Sequence, residues 1–214
     1  GNLLAVLATF FGFGLLLGMW VASTAVLNLV LRLREHPAPG LWQRLSAQPG
    51  SYFGMLLAHF GVAVFIVGVT VVNGFQVEKD LRMEPGDSTQ IAGMVVRFDG
   101  VRERRGPNFT AARGTLVLSK GERTLATLHP ERRNYTVTRM PMTETAIDRG
   151  FTRDLYVSLG EPLSATAWSV RVYYKPFVGW IWGGCLLMAL GGMLAVFDRR
   201  YRAKARVATP SPAP

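Results

Sequence analysis

Tyr52-Phe-Gly-Met-Leu-Leu-Ala-His59-Phe-Gly-Val-Ala-Val-Phe-Ile-Val-Gly68 lies within a stretch, Leu45 to Val77, where 33 residues pass without an Asp, Glu, Lys or Arg. A bilayer core of about 30 Å needs roughly 20 helical residues, so this stretch is long enough to cross one. Two more runs behave alike: Gly1 to Leu31 holds 31 uncharged residues and Pro176 to Phe197 holds 22. The chain of 214 residues is 49% hydrophobic and 18% charged, and those three runs dominate that balance. A wholly soluble protein is excluded. The expectation is an α-helical integral membrane protein with spans at about Leu3 to Val30, Tyr52 to Asn73 and Val178 to Phe197. Only Gly1 and Asn2 precede the first span, without the basic segment of a signal peptide, so it reads as a true helix. The start within apolar sequence, without an initiator Met, leads us to expect a longer parent or a split gene.

Formal net charge is +10, from 24 Lys and Arg against 14 Asp and Glu. Nucleic acid is a poor explanation, because no basic stripe interleaved with aromatics occurs. The positive-inside rule explains more. Arg32 to Arg44 carries a net +2, and the tail after Phe197 carries a net +4. Placing both in the cytoplasm predicts six segments: helix 1 over 1–31, a basic cytoplasmic loop over 32–51, helix 2 over 52–77, an outer domain over 78–175, helix 3 over 176–197, and a basic, Pro-rich cytoplasmic tail over 198–214. Trp180 and Trp182 would then lie where the third helix enters the membrane.

The outer segment reads as strand-rich, a small sandwich or barrel. Thr115 to Ser119 and Arg123 to Leu128 flank Lys120-Gly-Glu122 as a hairpin with a three-residue turn. Further expected strands are Gln90 to Phe98, Asn134 to Arg139, Asp154 to Leu159 and Trp168 to Tyr174. The single cysteine, Cys185, belongs to the third apolar run, so neither a Cys-x-x-Cys pair nor covalent haem attachment to this chain is available.

His59 is the one ionisable side chain of its span other than tyrosine, and a buried ionisable group in a membrane is a functional-site hypothesis by default. It could ligate haem iron, relay protons, or hydrogen-bond a neighbouring helix. At 100° per residue, Gly54, Gly61 and Gly68 fall within about 40° of one another, with His59 roughly 160° from Gly61. Tyr52, Met55, Leu56, Ala63, Ile66 and Thr70 would wall the histidine. Contact on two opposite faces implies helices beyond those of this chain. Gly14 with Gly18, and Gly179 with Gly183, read as helix contacts. His36 and His129 have no metal-ligand spacing to another candidate and read as solvated. Arg132 and Arg133 could bind carboxylates, such as haem propionates or a partner's acids, or simply charge a strand edge. No catalytic triad, phosphate loop or paired carboxylates stand out, and no broken-helix pair or internal repeat suggests a transporter.

Several pieces taken together resemble a known family: Tyr52-Phe-Gly-Met-Leu-Leu-Ala-His59, His129-Pro-Glu-Arg-Arg-Asn-Tyr135, Met142-Thr-Glu-Thr-Ala-Ile147, Asp154-Leu-Tyr-Val157, Leu159-Gly-Glu161, and Lys175-Pro-Phe177 followed by Trp180. Over residues 1–202 the sequence is similar to the C-terminal portion of CcmF, a membrane haem lyase component of cytochrome c maturation. The resemblance implies that His59 is an axial ligand of the iron of a transmembrane haem b, its second ligand coming from outside this chain. It implies attachment of haem to Cys-x-x-Cys-His of apocytochrome c outside the membrane, with the b haem keeping incoming haem iron reduced. Expected partners are the N-terminal part of the lyase, a haem chaperone, thiol-handling subunits and apocytochrome c, at the bacterial inner membrane with the β domain periplasmic. The family's tryptophan-rich segment and two periplasmic histidines are not found here, so this chain alone is not expected to be a complete enzyme. The alternative is a non-enzymatic membrane scaffold whose β domain docks partners.

Overall fold

A computed structural model of the chain describes residues 2–137 and 140–198. It divides into a helical unit, Gly1–Gly74 with Gly179–Pro214, and a β unit, Phe75–Val178. The expected tail beyond Asp198 lies outside the described residues, as do positions 138–139 of one expected strand.

The helical unit holds α1 (Asn2–Glu35), α2 (Leu41–Ser46), α3 (Gly50–Phe75) and α4 (Val178–Phe197). Three of these, α1, α3 and α4, contain stretches long and apolar enough to cross a membrane. The helix of α1 continues through Arg32 and Arg34, where basic side chains suit the negative end of the helix dipole. Arg44 completes this end by donating from Nη1 to the Leu33 carbonyl at 3.0 Å and from Nε to that of Ala38 at 2.6 Å.

Helix α3 is held on two sides, as its two faces suggest. The expectation that this needs helices from elsewhere is corrected: both partners are in this chain. On one side Gly54, Gly61 and Gly68 meet α4. A Cβ on Gly61 would stand 2.8 Å from the Gly184 carbonyl oxygen, and one on Gly54 2.5 Å from that of Gly191. On the other side a Cβ on Gly18 would stand 3.0 Å from Val67 and 3.5 Å from the Ala63 carbonyl oxygen. Small residues permit such approach where lipid supplies no hydrophobic drive between helices. The packing glycines of α4 are therefore Gly184 and Gly191. Among the described residues, a Cβ on Gly179 or Gly183 would meet nothing within 4 Å, so this pair does not make the contact of α4 with α3. Asp198 accepts from the Ser51 backbone N–H at 2.7 Å, satisfying one of the orphan donors at the start of α3.

The β unit is a sandwich of antiparallel sheets. One has the order β1 (Val77–Met83), β10 (Trp168–Pro176), β9 (Arg153–Pro162), β8 (Ala146–Arg149). The other runs β2 (Ser88–Ile91), β3 (Met94–Arg105), β4 (Phe109–Lys120), β6 (Glu131–Tyr135), β7 (Pro141–Glu144), with β5 (Arg123–Leu128) also paired to β4. Alternating residues from both sheets, among them Phe98, Leu116, Leu155 and Val170, form one core and are fully buried.

Three strand expectations change. The strand at 90–98 is two strands, because Ala92 and Gly93 take positive φ (49° and 75°) and turn the chain between β2 and β3. The 134–139 strand starts earlier, at Glu131, and ends at Tyr135, where its pairing with Phe109 stops. The 120–122 turn is tighter than three residues. Lys120 pairs with Arg123, leaving Gly121 (φ 59°) and Glu122 as a two-residue loop, with glycine first as type II′ turns require. The missing residue is absorbed by a bulge, since Leu118 pairs with Ala126 but Ser119 with Thr124.

Candidate functional site

His59 sits on α3 with its side chain exposed on the helical unit, and Met55 is exposed too. Its Nδ1 lies 2.8 Å from the carbonyl oxygen of Met55, one turn back. A carbonyl can only accept, so Nδ1 carries the proton and donates. In a neutral imidazole the lone pair is then on Nε2, for which the described residues supply no hydrogen-bond partner. Histidines that ligate metals are typically fixed in this way, one ring nitrogen tied to an oxygen and the other free to coordinate.

Much of the wall expected around His59 is taken by α1. Tyr52 is buried, and its hydroxyl donates to Asn28 Oδ1 at 2.7 Å. Ala63 is buried, Ile66 packs near Gly18, and Thr70 lies against Gly14. The cause is angular: Tyr52 and Thr70 lie about 20°, and Ala63 about 40°, to one side of His59, where α1 docks. Met55, about 40° to the other side of His59, remains exposed.

Among the described residues, no group of three or more His, Cys, Asp or Glu converges as a metal cage. One neutral imidazole suits a metal that brings most of its ligands in a macrocycle, so the donor fits an axial ligand of haem iron. His36 Nδ1 accepts from the Ala38 backbone N–H at 3.3 Å, and the His129 ring lies 3.4 Å from the Gly114 carbonyl oxygen.

The two arginines of the outer domain already hold carboxylates of that domain. Arg132 bridges to Glu161 at 3.1 Å. Arg133 lies between Glu131 at 2.9 Å and Glu144 at 3.3 Å, over the Phe109 ring. Neighbours in a strand point to opposite faces, so the pair cannot act as one clamp. Glu131 is buried and also accepts from Arg104 at 2.8 Å, with Arg113 in ion-pair range at 3.7 Å. Burial pushes its carboxyl up, but the hydrogen bonds from Arg104 and Arg133 outweigh this and hold it below the usual glutamate range. A groove of about 550 Å³ opens beside Arg132, lined also by Val101, Asn134, Pro162 and Trp168.

Sequence reasoning passed over a polar constellation on the His59 side of α3. Arg32 places its guanidinium carbon 4.3 Å from the Tyr52 ring centre and donates from Nε to Gln48 Oε1 at 2.6 Å. The signal available was the spacing of Asn28 and Arg32, four residues apart and so on one face of α1.

Residues 74–176 match the family model described as the CcmF C-terminal β-sandwich. The chain belongs to the CcmF family. It corresponds to a C-terminal portion of CcmF. It is 46% identical to the cytochrome c-type biogenesis protein CcmF of Pseudomonas aeruginosa, over 94% of this chain and 30% of that protein. Identity to CcmF of Escherichia coli is 43%, over 88% of this chain and 28% of that protein. A solved structure of the cytochrome c heme lyase CcmF shares the fold, with a TM-score of 0.67 at 18% identity over 91% of this chain and 34% of that one. The chain thus spans about 30% of the length of the curated CcmF relatives it matches.

Proposed function

We propose that this chain is the C-terminal membrane part of a CcmF-type protein of cytochrome c biogenesis, and that His59 supplies one axial ligand to the iron of a transmembrane haem b. The observation that carries the reading is the exposed imidazole with Nδ1 bonded to the Met55 carbonyl and Nε2 free on an apolar face. Relatives named for cytochrome c biogenesis, and a solved relative named as a heme lyase, support haem as the partner of that nitrogen.

In this reading the residues bind and orient rather than carry out bond chemistry. Met55 fixes the ring tautomer, and α1 and α4 hold α3 from two sides. A haem bound there supplies a one-electron centre, which the family resemblance connects with keeping incoming haem reduced before its attachment to the thiols of apocytochrome c. The other axial ligand comes from outside this chain, from the N-terminal part of the protein. The basic segment at Arg32 to Arg44 faces the cytoplasm of a bacterial inner membrane and the β unit faces the periplasm, following the charge bias of the flanks. There the sandwich offers a surface to apocytochrome c, a haem chaperone or thiol-handling subunits. The chain contributes to a haem lyase without being a complete one.

The test is the haem content of the purified full-length protein. His59→Ala should lose most of its b-type haem relative to protein, as read by pyridine haemochrome. Unchanged content would contradict the reading.

A further inference from the structure

Arg32, in the last turn of α1, has most of its hydrogen-bonding capacity unused among the described residues. Only Nε is engaged, with Gln48, so among the described residues Nη1 and Nη2 have no partner. The side chain is nonetheless well positioned, because its guanidinium stacks on the Tyr52 ring. Tyr52 is itself tied to Asn28, whose oxygen accepts the hydroxyl and whose Nδ2 has no partner among the described residues. Arg32 and Asn28, four residues apart, therefore present free donors around the same tyrosine.

That tyrosine lies on the His59 face of α3. Seven residues separate the two, which places them about 20° apart around the helix and about 10.5 Å apart along it. A haem held at Nε2 with its propionate edge toward Gly50 would direct those carboxylates along α3 toward Tyr52 and Arg32. A guanidinium with two free amino groups matches a carboxylate in a bidentate fork.

We propose that Arg32, assisted by Asn28 Nδ2 and held in place by Tyr52 and Gln48, binds a propionate carboxylate of the haem whose iron is ligated by His59. This rests on the reading of His59 as an iron ligand. The oxygen anion could also come from a lipid phosphate at the same depth, and the experiment separates the two sources.

Full-length protein stripped of haem is titrated with iron protoporphyrin IX and with its dimethyl ester, in the wild type, Arg32→Gln, Arg32→Lys and His59→Ala. Arg32→Gln should bind protoporphyrin about tenfold more weakly. Its ferrous-to-ferric ratio at a fixed poise should also be about tenfold lower, equivalent to a ~59 mV lower one-electron potential, because a positive charge near the carboxylate favours the reduced iron. Arg32→Lys, which keeps the charge and guards against misfolding, should retain most of the potential. The dimethyl ester, with no carboxylate to clamp, should bind the wild type and Arg32→Gln alike. If Arg32→Gln shows wild-type affinity and potential while His59→Ala loses its low-spin haem, the clamp is overturned and the ligand stands. If the Arg32→Gln defect persists with the ester, the anion is not a propionate and the clamp is again overturned. If His59→Ala keeps its low-spin haem, the ligand reading itself fails.

Discussion

Gly61 of α3 and Gly184 of α4 meet backbone to backbone: a Cβ on Gly61 would stand 2.8 Å from the Gly184 carbonyl oxygen, and one on Gly184 2.7 Å from that of Gly61. Main-chain atoms cannot swing aside as a side-chain tip can. Gly61→Ala should therefore push the helices apart at a cost of about 1–3 kcal/mol, the range for overpacking. Gly183→Ala, one residue from Gly184 but facing open space, should be nearly neutral. Thermal melting of the two variants in detergent checks the contrast; equal melting temperatures would contradict it.

In the sandwich, Phe98 is fully buried between the sheets. Phe98→Ala leaves a cavity and should cost about 3–5 kcal/mol, a large share of what a domain of this size possesses. Limited proteolysis of the β unit should become much faster, while cleavage of the helical unit stays unchanged.

Glu131 makes the stability of the β unit depend on pH. Its carboxyl is held below the usual range in the folded state, so the stability it contributes is complete above that range and is lost as pH falls through the lower, folded value. Its arginine partners Arg104 and Arg113 are partly exposed, at 51% and 40%, so solvent screening reduces the gain. Glu131→Gln should cost about 1–3 kcal/mol at neutral pH and flatten the acid limb of a stability–pH curve. Hydrogen exchange of the β4 and β6 amides across the acid range measures both effects.

The three long helices were legible because gaps in charge mark them directly. The longer strands were legible because β3, β4, β9 and β10 bury alternate residues. The shorter edges were not. Strand β1, Val77–Met83, carries Glu78, Lys79, Asp80 and Arg82, and only Met83 is buried. Its place is secured by pairing along β10, a property of the sheet rather than of the local pattern. Strands β7 and β8, four residues each, lie at sheet edges for the same reason. At the candidate site the split is similar. His59 stands out in one dimension as an ionisable group in an apolar run. The Tyr52, Asn28, Arg32 and Gln48 constellation joins two helices and a loop, so it emerges only when α1 docks on α3.

The proposed topology follows from loop charge and is open to labelling. With Cys185 replaced, a cysteine at Glu122 in the β4–β5 turn should react with an impermeant thiol reagent added to spheroplasts. One at Trp42, exposed on α2, should react only after permeabilisation. The reverse pattern would invert the assignment.

The most direct test of the central claim is the reduced-minus-oxidised absorption spectrum of the full-length protein carrying His59→Gly, recorded without and with added imidazole. The sharp α band of a low-spin b haem should be lost in the variant and return when imidazole fills the position vacated by the side chain. An α band that persists in His59→Gly without imidazole would contradict His59 as the iron ligand.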